Sequence, residues 1–292
     1  MRVTVVGGAA WNRMIHVDRL PDGHSATVHP RRHHEAIGGA GAGKALNLAR
    51  LGVDVTLFAG IGEDDAGRHV RQGLVAAGVD LRATLDPTGT AQHVNLMGPE
   101  GGRISIMLAN GSPDLAFDEG AMTASMAEAD VIVADLAPWT PRAVPAAVAS
   151  GRPIWTDLHD HDGTSTWHVP FIDAAEVVFV SHDRLPDPRG FLSSLMERGK
   201  RIAVCTMGAE GAIALDADGR EYAVPAVPDV EIVDSNGAGD AFFAGTLFGM
   251  LVGAPLEVAL RYGAIAGALA VTSQELASEN LSPASLTGQD LT

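Results

Sequence analysis

Short apolar runs alternate along the chain with longer segments in which apolar residues recur at helical spacing. The runs are rich in valine and isoleucine, which is typical of buried strands, and they occupy residues 3–6, 53–59, 131–135, 153–157, 177–181, 201–206 and 212–215. The helical patterns occupy residues 43–51, 66–77, 119–128, 142–149 and 190–198. Strands that alternate with helices favour a mainly parallel sheet covered on both faces. We therefore expect residues 1–292 to form one α/β domain.

Two segments interrupt this alternation. Residues from about 14 to 35 contain scattered apolar positions, a Pro-Asp-Gly turn at Pro21 and several histidines, which indicates exposed strands rather than core. Residues 92–97 and 103–108 are strand-like, and the glycine-rich turn 98–102 between them is a hairpin signal. We expect roughly 12–36 and 88–110 to form a small β insertion, with His33 and His34 facing solvent.

The composition indicates a folded and acidic protein. Hydrophobic residues make up 46% and charged residues 19%, so a substantial core is expected. The chain has 20 Lys and Arg residues against 36 Asp and Glu residues, a formal net charge of −16. Such a surface repels nucleic acid and anionic lipid, so we expect neither as a partner. A local phosphate site remains possible, because backbone amides at a helix N-terminus can form one.

The single cysteine, Cys205, lies in an apolar run and is expected to be a buried strand thiol. The N-terminus leads directly into a strand, without the features of a signal peptide, and no apolar run approaches membrane-spanning length. By elimination, the expected location is the cytoplasm.

The most informative segment is residues 234–240, which read Asp-Ser-Asn-Gly-Ala-Gly-Asp and precede a long apolar helix. Gly237 and Gly239 permit a backbone in which the amides of residues 237–239 face one point, and the helix dipole favours an anion there. Asp240 would then lie beside a bound phosphate and accept the proton of an attacking hydroxyl. A helix cap is the alternative role for Asp240. The two glycines and Asp234 favour the catalytic role.

The same segment resembles the second signature of the ribokinase-like (PfkB-type) carbohydrate kinases, Asp-Thr/Ser-x-Gly-Ala-Gly-Asp. Residues 38–52, 60–67 and 206–211 resemble further motifs of that family in the expected order. The resemblance implies a three-layer α/β sandwich in which the β insertion is a lid over the substrate. It also implies ATP-dependent phosphorylation of a sugar hydroxyl, Mg²⁺, in many members a monovalent cation such as K⁺, and a homodimer formed through the lid.

Residue roles follow from this resemblance and from the ends of the strands. The nucleotide is expected to contact Thr206, Gly208, Gly211, Asn236, Gly237 and Gly239. The anion hole would consist of Gly237, Ala238 and Gly239, and the acceptor would lie against Asn12, Gly38, Gly39, Gly43, Asp157 and Asp240. Asp157 is included because open α/β sheets bind ligands at the carboxyl ends of their strands, where His159 is a further candidate. Candidates for a metal are Asp183 and the carbonyl groups of Asp234 and Asn236.

The sequence departs from the family pattern at both ends of the expected site. Asn12 stands where the family usually holds the sugar with Asp, and Gly43 stands where many members have Asn. The family's Asn-x-x-Glu, which organises Mg²⁺, falls on residues 181–184, where Arg184 replaces the Glu. A sugar kinase is therefore favoured, with a nucleoside (adenosine-like) kinase and a non-catalytic sugar-binding pseudokinase as alternatives.

Residues 38–44 also read Gly-x-x-x-x-Gly-Lys, most of a Walker A loop. The next position, which should be Ser or Thr to hold Mg²⁺, is Ala45, and the preceding residues form a poor buried strand. We therefore interpret Lys44 as an ordinary residue of the first helical turn or as a substrate contact.

Overall fold

The computed structural model describes residues 1–99 and 102–288, which contain thirteen strands and nine α-helices. The strands are β1 Arg2–Val6, β2 Ala10–His16, β3 Arg32–Gly38, β4 Asp54–Ile61, β5 Asp80–Leu85, β6 Ala91–Met97, β7 Arg103–Ala109, β8 Val131–Ala134, β9 Ile154–Asp157, β10 Val177–Ser181, β11 Ile202–Thr206, β12 Ala212–Asp216 and β13 Glu221–Val224. The helices are α1 Ala40–Arg50, α2 Asp65–Ala76, α3 Glu119–Glu128, α4 Val144–Ala149, α5 Val169–Ala174, α6 Pro188–Glu197, α7 Ala238–Leu251, α8 Leu256–Val271 and α9 Pro283–Thr287.

The larger sheet has nine strands in the order β13-β12-β11-β10-β9-β8-β1-β4-β5. The pairs from β11 to β5 are parallel, and β12 and β13 add an antiparallel edge. Successive side chains of a strand point to opposite faces, so Val5 packs with α1, α2, α7 and α8, whereas Val6 packs with α3 to α6. These two cores confirm the three-layer α/β fold.

The smaller sheet has the order β3-β2-β6-β7 and contains the predicted β insertion. It contacts the larger body where Arg32 donates a hydrogen bond to the carbonyl oxygen of Val233, at 2.6 Å, and where Arg103 donates to Oδ1 of Asn236, at 3.0 Å. The predicted turn 98–102 includes residues 100 and 101, which lie outside the described residues. We call residues 10–38 and 91–109 the lid sheet; its movement over a substrate stays a prediction.

Three details differ from the sequence-based expectations. Helix α1 begins at Ala40, three residues earlier than predicted, because Gly39 supplies the left-handed turn before it, with φ 86°. The predicted helix 142–149 divides into a 3₁₀ turn, Thr140–Arg142, and α4, which has a proline in its first turn. The expectation that His34 faces solvent is wrong, since its ring stacks on that of His16 at a centroid distance of 5.6 Å.

The apolar character of the helices suits a protein core rather than a bilayer. Helix α7 buries most of its length between the sheet and α8, and Cys205 is buried in β11 as expected. Among the helices of the described residues, none combines the length and hydropathy that crossing a membrane requires.

Candidate active site

The candidate site lies at the carboxyl ends of β1, β8 and β9, where α1 and α7 begin. Asp135 directly follows β8 and Asp157 is the last residue of β9. Both strands run parallel to β1 and pair within one sheet, so these carboxylates reach the same edge. Such an edge is where open parallel sheets bind ligands.

Glycines let α1 pack unusually close to the end of β1. A Cβ at Gly39 would lie 2.7 Å from the carbonyl oxygen of Gly8, and a Cβ at Gly41 would lie 2.8 Å from Gly7. These positions tolerate no side chain, because real Cβ atoms do not approach backbone atoms so closely. The close approach places the second turn of α1 beneath the ends of β8 and β9.

Lys44, in that second turn, is the centre of a buried ion cluster. Its Nζ lies 3.0 Å from Oδ2 of Asp135, 3.1 Å from Oδ2 of Asp157 and 2.6 Å from Oδ1 of Asp240. The Lys44 side chain has no exposed surface. The interpretation of Lys44 as a residue of the first helical turn or a substrate contact is therefore wrong. Its ammonium group also does not serve as a Walker A lysine.

The three carboxylates keep Lys44 charged despite its burial. Burial opposes the charged form, but Asp135, Asp240 and Asp157 together raise the pKa of Lys44 well above its usual value. Burial likewise opposes ionisation of Asp135, yet Lys44 and His159 outweigh it and hold its pKa below the usual range. Burial also opposes ionisation of Asp157, but His159 and, to a lesser extent, Lys44 outweigh it and lower the pKa of Asp157.

His159 is the second cation of the cluster. Its backbone is left-handed, with φ 52°, and its N–H donates to Oδ1 of Asp157 at 3.0 Å. This turn directs Nε2 to within 2.9 Å of Oδ1 of Asp135. Burial favours the neutral ring, but the carboxylates of Asp157 and Asp135 raise the pKa of His159 to about 9. Two cationic groups, Lys44 and His159, therefore face the carboxyl groups of Asp135, Asp157 and Asp240.

Asp240 lies in the first turn of α7, and its side chain is 12% exposed. Burial raises its pKa, although Lys44 and His159 act in the opposite direction. Gly43 makes room for it, since a Cβ at Gly43 would lie 2.4 Å from Oδ2 of Asp240. A carboxylate with a raised pKa, held in a fixed position, can accept a proton.

The turn before α7 has the geometry of an anion site. Gly237 is left-handed, with φ 82°, and a Cβ there would lie 2.9 Å from the Leu276 side chain. The first amides of a helix have no acceptor within that helix, and the dipole concentrates positive potential around them. In contrast to Gly237, a Cβ on Gly239 would have no heavy atom of the described residues within 4 Å, apart from its chain neighbours and the nearby backbone of α7. Open space therefore adjoins these amides, as an incoming phosphate requires.

Thr206, Gly208 and Gly211, which are predicted to contact the nucleotide, lie at the end of β11 and in the turn that leads to β12. Gly208 and Gly211 are left-handed, with φ 56° and 91°, and the Met207 amide donates to the carbonyl oxygen of Gly211 at 2.7 Å. A Cβ at Gly211 would lie 2.0 Å from the carbonyl oxygen of Val224, so only glycine fits this tight turn. Thr206 ends β11, beside Ser181 at the end of β10.

On the acceptor side, the structure brings Asn12 next to Gly38. A Cβ at Gly38 would lie 2.1 Å from Cγ of Asn12, and the buried Oδ1 of Asn12 has no hydrogen-bond partner among the described residues. A buried amide oxygen without a donor suits a hydroxyl ligand, which can supply one. Asp157 and Asp240 belong to the ion cluster, Gly43 lies against Asp240, and Gly39 lies against Gly8. The predicted contacts of all these residues with the substrate stay predictions.

Sequence reasoning missed Lys44, Asp135 and His159 as a unit. Asp135 carries the same signal that identified Asp157, an acidic residue directly after a buried parallel strand. Lys44 carries a different signal, because it is a charged residue among glycine, alanine and leucine on an otherwise buried helix face.

Asp183, which follows β10, is the side chain predicted to bind Mg²⁺. The side chain of Asp183 is 68% exposed, and its Oδ2 accepts a hydrogen bond from Ser181. Arg184 lies near Asp162 and Asp160, at 3.6 and 3.8 Å. An exposed carboxylate fits Mg²⁺, which retains waters and binds mainly to phosphates. The group of Asp157, His159 and Asp240 is compact enough for a metal, but the Lys44 ammonium group already pairs with both carboxylates there.

The chain is similar to known carbohydrate kinases over most of its length. The family model described as "pfkB family carbohydrate kinase" matches residues 2–134 and 166–282. An acarbose 7(IV)-phosphotransferase of Actinoplanes sp. is 35% identical over 288 aligned residues, covering 92% of each chain. An ATP-dependent ribose-1-phosphate kinase of Halopiger xanaduensis is 31% identical, covering 92% of this chain and 91% of that protein. The solved structure of the microbiome-derived acarbose kinase Mak1 superposes with a TM-score of 0.84, at 30% identity, over 98% of this chain and 97% of that one.

Proposed function

This chain belongs to the pfkB family of carbohydrate kinases, and from that premise we propose that Asp240 is the general base that activates the acceptor hydroxyl of a sugar or sugar-like substrate. The family establishes ATP-dependent phosphorylation of a sugar or a nucleoside. The observation that carries the assignment of Asp240 is its position. It is a nearly buried carboxylate with a raised pKa in the first turn of α7, whose amides adjoin open space.

In the proposed reaction, the acceptor hydroxyl transfers its proton to Asp240 while its oxygen attacks the terminal phosphorus of ATP. The bond from that phosphorus to the bridging oxygen breaks, and ADP leaves. The amides of Gly237, Ala238 and Gly239 would stabilise the charge that develops on the phosphoryl oxygens. Lys44 pairs with Oδ1 of Asp240 at 2.6 Å, which would leave Oδ2 to accept the proton of the acceptor hydroxyl. Bound Mg²⁺ would neutralise phosphate charge, with Asp183 as its proposed contact.

A carbohydrate acceptor is favoured over a nucleoside. Two of the proteins most similar to this chain are named for acarbose, and together they cover nearly its full length. Asn12 offers a buried amide oxygen that has no partner, which suits a sugar hydroxyl. We therefore propose an acceptor of the acarbose type, a carbohydrate that presents several hydroxyl groups.

The experiment is a measurement of ADP release with ATP and Mg²⁺ against acarbose, simple sugars, ribose 1-phosphate and nucleosides. We expect a carbohydrate to support turnover, and Asp240→Asn to lower kcat by roughly 10²–10⁴. Asp218→Asn, an exposed acid in the β12–β13 turn, is the matched control. Unchanged turnover in Asp240→Asn would refute the role of Asp240 as the general base. Turnover with nucleosides alone would favour the nucleoside kinase, and saturable sugar binding without ADP release would favour the pseudokinase.

We also propose that the lid sheet forms a homodimer. Its edge strand β7 exposes Ile104 and Ile106, which are two positions apart and so share one face, and Leu108 is exposed at an irregularity of the pairing with β6. Light scattering of the wild-type chain and of Leu108→Ser should give a dimer and a monomer, respectively. A monomeric wild type would exclude this assembly.

A further inference from the structure

A second cluster of ligating side chains lies where the lid sheet meets the body, on residues that the proposed reaction does not use. His16 ends β2, His34 lies in β3, and Asp234 belongs to the loop before α7. Nε2 of His16 and Nε2 of His34 lie 3.4 and 3.9 Å from Oδ2 of Asp234. One ligand atom from each of the three residues falls within 4.8 Å of the other two.

Two of the three facing atoms of this cluster are buried without hydrogen-bond partners among the described residues. The third, Nε2 of His34, lies 3.3 Å from the carbonyl oxygen of Gln274, a contact that metal coordination would replace. The side chains of His16 and Asp234 are 8% and 2% exposed, and that of His34 is 18% exposed. Nε2 of His16 and Oδ2 of Asp234 have no hydrogen bond within the described part of the chain. Buried polar atoms are nearly always satisfied, so two unsatisfied atoms aimed at one point indicate a ligand between them.

The surrounding contacts hold the three groups in this orientation. Oδ1 of Asp234 accepts a hydrogen bond from the Asn236 amide at 2.8 Å, which directs Oδ2 towards the histidines. The imidazole rings of His16 and His34 stack on each other, on adjacent strands of one sheet.

We propose that His16, His34 and Asp234 bind a divalent transition-metal ion of the zinc class. Two imidazoles and one carboxylate are a donor set that zinc accepts, with water as a fourth ligand. Metal–ligand bonds of about 2.0–2.1 Å in a tetrahedron separate the ligand atoms by roughly 3.3 Å. The observed 3.4 and 3.9 Å are close to that separation. Magnesium prefers oxygen ligands and is the poorer occupant.

The proposed ion would join two parts of the fold. His16 and His34 belong to the lid sheet, whereas Asp234 belongs to the loop that leads into the α7 turn. Coordination by all three residues requires the lid sheet to rest on that loop. Bound zinc would therefore hold the lid sheet against the body, and this inference stands whether or not Asp240 is the base.

The test is isothermal titration of ZnCl₂ into chelator-stripped protein in a buffer that contains K⁺. We expect the wild type to bind, and His16→Gln and His34→Gln each to weaken the affinity of this site at least tenfold. His33→Gln, an exposed neighbour in β3, and His159→Gln, in the other cluster, should retain it. Absence of Zn²⁺ binding to the wild type, or an equal loss in His33→Gln, would overturn the proposal. A loss confined to His159→Gln would place the metal elsewhere and overturn it too.

Hydrogen exchange provides a readout that does not depend on activity. Zn²⁺ should slow amide exchange in β2 and β3 of the wild type and leave it unchanged in His34→Gln. The exchange pattern without metal shows whether each variant is folded, and His34→Gln, at the less buried position, remains informative if His16→Gln does not fold. Equal slowing in the wild type and in His34→Gln would show that these residues do not bind the ion.

Discussion

Nζ of Lys44 lies 2.6 Å from Oδ1 of Asp240, although 196 residues separate the two along the chain. A lone ammonium group so close would make the carboxylate a weak base. Burial raises the pKa of Asp240, and the nearby Asp135 carboxylate adds to this effect, so the pKa remains above its usual value although Lys44 lowers it. Lys44 therefore positions Asp240 without suppressing its basicity.

Replacing Lys44 with Met should lower the free energy of unfolding by roughly 3–5 kcal/mol, because three carboxylates would lose a buried cation. Lys200→Met is the matched control, since Lys200 is also buried but bonds the carbonyl oxygens of Asp173 and Ala175. We expect that control to cost about 1–3 kcal/mol. Urea denaturation measures both variants, and equal losses would contradict the charge argument.

The pH dependence of kcat/KM should reveal the electrostatic coupling between Lys44 and Asp240. The activity of the wild type should fall on acidification, as pH passes downward through the raised pKa of Asp240. Lys44 lowers that pKa, so in Lys44→Met the acidic limb should move to higher pH. Lys200→Met should leave the limb in place. An unshifted limb in a folded Lys44→Met protein would show that the two charges are not coupled.

His159 should stabilise the protein in a defined pH window. Its pKa is raised from 6.5 to about 9, so its contribution is complete below pH 6.5 and is lost as pH rises through 9. The shift corresponds to at most about 3 kcal/mol at 1.36 kcal/mol per unit. As pH rises from 6.5 to 9, the free energy of unfolding should decrease more for the wild type than for His159→Gln. Parallel profiles of the two proteins would exclude a raised pKa.

Gly43→Ala should affect catalysis more than folding. The added methyl group would lie 2.4 Å from Oδ2 of Asp240 and would displace that carboxylate. A displacement on the order of 1 Å costs about 10²-fold in rate, which steady-state measurement of ADP release would detect. Wild-type kcat in Gly43→Ala would mean that the position of Asp240 is not critical.

Gly239→Ala tests the open space beside the α7 amides. Apart from the chain neighbours and the nearby backbone of α7, no described heavy atom lies within 4 Å of the new methyl group. Alanine favours a helix over glycine by about 1 kcal/mol. We expect the melting temperature to hold or rise, while KM for ATP increases because the methyl group enters the proposed phosphate space. Gly120→Ala, in the exposed first turn of α3, should leave KM for ATP unchanged. The same KM in both variants would place the phosphate elsewhere.

The fold and the glycine-rich turn that precedes α7 could be predicted because their signals are local. The alternation of strand and helix patterns indicated the parallel sheet, and the buried runs 177–181 and 201–206 fall on β10 and β11. Residues 234–240 contain both the turn and the acidic residue within one helical start. Their physical basis, glycine torsion freedom and free helix amides, needs no distant partner.

The amino-acid sequence by itself determined the layered architecture, the family and the acidic residue at the start of α7. Only the tertiary structure decided that Lys44 is buried among Asp135, Asp157 and Asp240, and that His16 and His34 face Asp234. The reason is physical. The energy of a buried charge depends on which groups surround it, and these groups meet only after distant strands and helices have packed together.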